Sequence, residues 1–217
     1  MNYILPLILL IPTVNLADVA TSVEEKYTKP IERSNGISIT YEDILYEAAF
    51  NCNFTNSDKI DYELLDKLIT IEMKYNPPPE LKGLILAAAC QESGYNPSAL
   101  GDRKFSKNGK TPMAVGLFQM WPWWEKKSRG YGIDRRNPIE AADAWMRHIT
   151  KQIKYVKRTC KYRTDKRIWI AAWVRAIRYP TKNNRCRQVP KHYRLLKKWH
   201  KNIIKKKKEC ELNGCGC

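Results

Sequence analysis

Residues 81–124 read LKGLILAAACQESGYNPSALGDRKFSKNGKTPMAVGLFQMWPWW, and the fold turns on how that stretch is read. The run Leu84-Ile85-Leu86-Ala87-Ala88-Ala89 is apolar at every helical position. A helix with no polar face has to lie inside the protein, so this run predicts a buried central helix. Pro77, Pro78 and Pro79 precede it, and proline is tolerated in a first helical turn. Gly94 and Pro97 stop it. Glu92 falls at its C-terminal end, where a carboxyl meets the negative end of the helix dipole. That setting suits a proton donor, although an exposed, inert carboxylate at a helix end fits these residues equally well.

Two segments in this stretch resemble the signature motifs of the soluble lytic transglycosylases. Glu92-Ser93-Gly94-Tyr95-Asn96-Pro97 is similar to the family's Glu-Ser-x-x-Asn-Pro. Gly116-Leu117-Phe118-Gln119-Met120-Trp121-Pro122 is similar to its Gly-Leu-Met-Gln-x-Met-Pro. The resemblance implies a lysozyme-like, mainly α-helical domain that cleaves the glycan strands of peptidoglycan. It implies Glu92 as the catalytic acid, with Ser93, Tyr95, Gly116, Gln119 and Trp121 among the sugar-binding positions. Trp121 replaces a methionine of the family and offers a ring to a sugar. The connection across 101–113 is longer than the family's. Its Asn108-Gly109 is a hairpin-turn signal, so a small β lobe is expected there.

Further along, Ala171-Ala172-Trp173-Val174-Arg175-Ala176 stands where the family has Ala-Tyr-Asn-Ala-Gly. Trp173 takes the place of a tyrosine that points into the active site. It can stack on sugar or fill the core, and its only polar act is to donate from the indole nitrogen. Val189-Pro190-Lys191-His192-Tyr193 and Trp199 resemble the family's closing helix. The likeness covers roughly residues 77–200, with the usual uncertainty at element boundaries.

The rest of the chain supplies helices around this centre. Thr40 with Asp43 three residues on is a capping-box variant, and Ile44, Leu45, Ala48 and Ala49 have helical spacing, predicting a helix over 41–50. A second is expected over 59–75, with Leu64, Leu65, Leu68, Ile71 and Met73 inward. Asn137, Pro138 and Glu140 start a third, whose buried side is Ala141, Ala142, Trp145, Ile149, Ile153 and Val156. Further helices are expected over 164–177 and 190–207, the last with Leu195, Leu196, Trp199 and Ile203 inward. The fold class is therefore mainly α, one lysozyme-like domain over 40–204. It is preceded by a linker or loose arm (18–39) and followed by a basic, cysteine-rich tail (205–217).

Residues 4–14 form an apolar run broken by Pro6 and Pro12, too short for a bilayer span of about 20 residues. It fits the core of a secretory signal over 1–17, although no Lys or Arg precedes it. Export to the periplasm or the cell exterior is expected. Seven cysteines fit that compartment as disulfides and show no zinc-ligand spacing. Cys160 and Cys186 bracket the helix at 164–177 and are the expected bridge. Cys90, inside the apolar helix, reads as a small core residue. The odd count leaves at least one thiol unpaired in a monomer. No metal or other cofactor is expected.

The formal net charge is +17. Such an excess points to polyanionic partners, and an envelope enzyme would meet them as anionic wall polymers and headgroups. The run Lys205 to Lys208 reads first as a solvated face, and no nucleic-acid recognition motif accompanies it. A hydrolase remains the alternative enzyme. Gly101-Asp102-Arg103 resembles a segment of goose-type lysozymes, which hold the attacking water with aspartates, and Asp102 matches one of them. The other would fall at Trp121, which is no base. A silent wall-binding or assembly factor on the same scaffold is the alternative of another class.

Overall fold

The computed structural model describes residues 32–34, 37–52, 61–177, 186 and 190–213. The expected signal over 1–17 lies outside them. The architecture is mainly helical, as the apolar periodicities predict.

Strand β1 (Glu32–Ser34) pairs antiparallel with β2 (Ile37–Ile39), Glu32 opposite Ile39. The described part of the expected loose arm is thus a β-hairpin, and it delivers Ile37 and Ile39 to the core. Helix α1 (Tyr41–Asn51) follows directly, its start fixed by the capping box of Thr40 and Asp43. Helix α2 (Tyr62–Tyr75) is capped by Asp61, whose carboxylate accepts from Leu64 N–H at 2.9 Å. Its inward stripe contains Ile69, while Met73 is exposed, contrary to expectation. A 3-10 turn (Pro79–Leu81) leads into α3 (Leu84–Ser93).

Helix α3 is the axis of the molecule. Leu84, Ile85, Leu86, Ala87, Ala88 and Ala89 are all essentially inaccessible. It packs against α1, α2 and α6 (Lys191–Leu212). Each large apolar side chain buried this way contributes about 1.5–3 kcal/mol. The apolar helix has no side-chain cap of its own, because Gly83 stands at its N-cap. The buried Glu72 of α2 supplies one instead, accepting from the backbone N–H of Gly83 and of Ile85 and from the Tyr41 hydroxyl. Burial pushes the Glu72 carboxyl up to about 7, opposed by those three donors. Gly83 itself has φ 90°, and a Cβ there would lie 2.7 Å from the Ile44 side chain.

Helices α4 (Pro138–Thr159) and α5 (Asp165–Ile177) form a pair laid against this centre. Asn137 caps α4 by accepting from Ile139 and Glu140 N–H. The expected basic tail is, through residue 212, the last two turns of α6. Those turns are tied inward, since Lys206 and Asn202 donate to the buried Glu47 and Lys207 pairs with Asp43 at 2.7 Å. Among the described residues no helix is long and apolar enough to cross a membrane.

Two disulfides staple the centre. Cys160–Cys186 is the expected one. Cys90 is not an idle core residue: it is bonded to Cys52, the C-cap of α1, across 38 residues of sequence. Cys210 is also disulfide-bonded.

Candidate active site

The site is built where α3 ends. Gly94 closes the helix in the left-handed conformation, φ 59°, and its N–H bonds the carbonyls of Ala89 and Cys90. Glu92 sits two residues earlier, with its side chain 34% exposed. The backbone beneath it is anchored twice, by the Cys52–Cys90 bridge and by the Ser93 hydroxyl on Ala89 O at 3.1 Å. Tyr95, expected among the sugar contacts, also has φ 61° and is buried. Its hydroxyl donates back to Leu86 O at 3.0 Å, so it serves α3 rather than an open cleft.

The chain then runs into β3 (Leu100–Gly101), which pairs with β4 (Ala114–Val115), Gly101 opposite Ala114. This two-residue pairing brings the two motif segments together. Between them lies a lobe made of a 3-10 turn (Arg103–Phe105) and the Asn108-Gly109 turn. The Asn108 carbonyl closes that turn by accepting from Lys110 and Thr111 N–H, each at 3.0 Å. The expected β lobe is therefore strand-paired only at its base.

The second motif is a tight loop with little freedom. Gly116 has φ 77°, and a Cβ there would fall 2.1 Å from Arg135 O, so only glycine fits. Its N–H bonds Ala99 O at 2.9 Å. Gln119, expected to line the sugar cleft, turns its amide inward, donating to Ala99 O at 3.2 Å and Gly116 O at 3.0 Å. It joins the two motifs to each other. Arg135, which the sequence did not flag, is buried beneath the loop. It donates to Met113 O and Met120 O and pairs with Glu125 at 2.8 Å.

Exposed aromatic surface lies on the lobe. Trp121 and Phe105 have ring centroids 5.7 Å apart and are 38% and 55% exposed. Asp102 fixes this pair, its Oδ2 accepting from the Trp121 indole N–H at 3.0 Å. Phe105 was invisible to motif reading, because only the fold sets it beside Trp121.

Beneath Glu92 the surroundings are aromatic and buried. His192, at the start of α6, is buried, and its Nε2 lies 2.7 Å from Glu92 Oε1. Trp173 is buried, which excludes it from stacking on a ligand. Its indole N–H donates to His192 Nδ1 at 2.9 Å. Trp145 packs edge-on against His192 at 5.7 Å and Phe118 of the second motif packs edge-on against Trp145 at 4.3 Å. Glu92 is thus linked to the second motif through two rings and an imidazole.

A second aromatic cluster, Trp123, Trp124, Tyr131 and His148, flanks the loop. The Tyr131 hydroxyl lies 2.9 Å from His148 Nδ1. Burial pushes His148 down to about 4, with Lys151 and Arg175 adding to it. A cavity of about 500 Å³ lies at the other, N-terminal end of α3, between Pro77–Pro79 and Trp169. Of its carboxylates, Glu80 pairs with Lys166 at 3.8 Å. Among the described residues no three His, Cys, Asp or Glu side chains converge as a metal-ligand set.

No family model, no curated protein and no solved structure matches this chain.

Proposed function

We propose that this protein is an exported enzyme that cleaves the glycan strands of peptidoglycan as a lytic transglycosylase, with Glu92 as its acid and base. The observation that carries the reading is the setting of Glu92. A partly exposed carboxyl stands at the end of a helix whose first six residues are buried, held by a buried histidine that packs through Trp145 toward Phe118 of the second loop. In this reaction Glu92 gives a proton to the glycosidic oxygen as its bond to C1 of N-acetylmuramic acid breaks. The same carboxylate then takes the proton of that sugar's 6-hydroxyl as O6 bonds to C1. The products are a free 4-hydroxyl on one fragment and a 1,6-anhydro end on the other, with no water consumed. One carboxyl with access to both protonation states is enough for such a sequence. Trp121 and Phe105 offer exposed rings for sugar faces.

The hydrolytic alternative needs a second carboxylate free to hold water. Asp102 has one oxygen engaged by the Trp121 indole, which disfavours that role. Disulfides at Cys52–Cys90 and Cys160–Cys186 support an oxidising compartment. The partners proposed are glycan strands and, through the basic surface, anionic envelope polymers, with the protein acting as a monomer. Incubating purified sacculi with the protein and following the release of soluble glycan tests the reading. Binding without release would favour the silent wall-binding factor.

A further inference from the structure

We propose that His192 is a positioning residue for Glu92, held by Trp173 as the Nε2–H tautomer, so that the proton Glu92 works with resides on Oε2. The inference rests on the reading of Glu92 as the acid, but its structural half is testable without any activity.

The argument starts from the indole. Tryptophan can only donate, so the atom that receives its N–H has to present a lone pair. Trp173 Nε1 lies 2.9 Å from His192 Nδ1, which therefore carries no hydrogen. A neutral imidazole then has its single hydrogen on Nε2. That nitrogen lies 2.7 Å from Glu92 Oε1, so the ring donates and the carboxyl accepts. The reverse arrangement, with Oε1 donating to Nε2, would put a hydrogen on Nδ1 and set it against the indole N–H. Oε1 is thereby reserved as an acceptor in both charge states of Glu92. The oxygen left to carry and deliver a proton is Oε2.

Two further features hold the ring to this task. His192 is only 1% exposed, so no water competes for either nitrogen. Trp145 packs edge-on against it and is itself packed against Trp173 at 5.0 Å, which blocks ring rotation. A neutral donor fixes the rotamer of Glu92 without placing a full positive charge beside a group that has to give up and regain a proton. The logic is that of a ligand oriented by the partner of its partner, applied to a catalytic acid. It also accounts for tryptophan at position 173. A phenol there could either donate or accept, whereas an indole leaves the imidazole one tautomer.

The test uses the full-length, disulfide-intact protein. Side-chain nitrogen NMR of its three histidines reads the tautomer of each, and His192→Gln identifies the signal by its loss. The expected result at neutral pH is hydrogen on Nε2 and none on Nδ1. Trp173→Phe should turn this into a mixture of tautomers and lower kcat about 10-fold with KM little changed, the pattern of a group that orients a reacting atom. His192→Gln, which still donates, should keep at least about a third of kcat, while His192→Phe should lose about 100-fold. A hydrogen on Nδ1, a doubly protonated ring, or full kcat in His192→Phe would overturn the proposal. Should the wild type cleave no glycan, the proposed function fails. The tautomer spectrum of wild type and Trp173→Phe then decides the His192 assignment alone; if the His192 variants do not fold, His148→Gln and His200→Gln assign the other two signals and leave that of His192 by difference.

Discussion

In the proposed reaction Glu92 carries the proton transfers alone, since the other candidate carboxylate, Asp102, is engaged by the Trp121 indole. Glu92→Gln keeps the shape and the acceptor for His192 but removes the titratable proton. Glycan release should drop by at least ~100-fold, the low end for general acid–base catalysis, with the thermal unfolding curve unchanged. Wild-type release by this variant would remove Glu92 from the mechanism. Asp102→Asn is the contrasting change. An asparagine carbonyl can still accept from Trp121, so the aromatic pair should stay in place and release should change by less than about threefold, within the range of a surface substitution. A loss comparable to that of Glu92→Gln would assign Asp102 to the chemistry and favour hydrolysis. At this scale the sequence was uneven. Glu92 was legible because a motif and a helix end coincide on it. Tyr95, Gln119 and Trp173 were named from motif position, and the structure turns all three inward, since motif position says nothing about which side of the backbone a side chain takes. His192 was named only within the closing-helix likeness, and its contact with Glu92 was not legible because the two lie 100 residues apart and only packing of α6 on α3 brings them together.

Helices were the legible elements. The all-apolar run demanded burial, Thr40 and Asn137 marked helix starts, and these signals are local. What was not legible depends on partners far off in sequence, such as Glu72 capping α3 and Cys52 joining Cys90. That bridge ties α3 to α1 two residues before Glu92. Replacing both cysteines by serine should cost roughly 3–4 kcal/mol of unfolding free energy in the chain-entropy model, read from denaturant melts. Melts that coincide with the wild type would show that packing alone fixes α3. His148 on α4 gives a pH signature. Its folded value of about 4 lies below the ordinary value of 6.5. Because the unfolded chain binds the proton more readily, the stability due to this group is complete above pH 6.5 and is lost as pH falls toward 4. Its partial exposure discounts the effect to the order of 1 kcal/mol. Denaturant midpoints should decline over that window, and His148→Gln should flatten the decline. A variant with the same pH slope as wild type would place the acid sensitivity elsewhere.

The whole molecule is a strong cation, and the outer face of α6 carries a row of its basic side chains. Arg194, Lys197, Lys198, Lys201, Lys205 and Lys208 are all exposed and recur at helical spacing along α6, opposite the face that buries His192, Leu196, Trp199 and Ile203. No large apolar side chain interrupts them, so the face suits an anionic polymer better than a lipid interior. Retention of the Glu92→Gln variant on purified sacculi should weaken at least ~10-fold between about 0.05 and 0.5 M salt, as expected for screened exposed charge. Reversing Lys197, Lys198, Lys201 and Lys205 to glutamate should remove most of that dependence. Salt-independent retention would leave the charge without a role in wall binding. Charge and disulfides together suit an envelope setting, yet the central claim concerns a bond and its products. Mass spectrometry of the muropeptides that the wild-type protein releases from purified sacculi tests it most directly. The account predicts 1,6-anhydro-muramyl ends, each lighter by one water than a hydrolytic product, and their absence with Glu92→Gln. Reducing muramyl ends, or no glycan cleavage by the wild type, would contradict it.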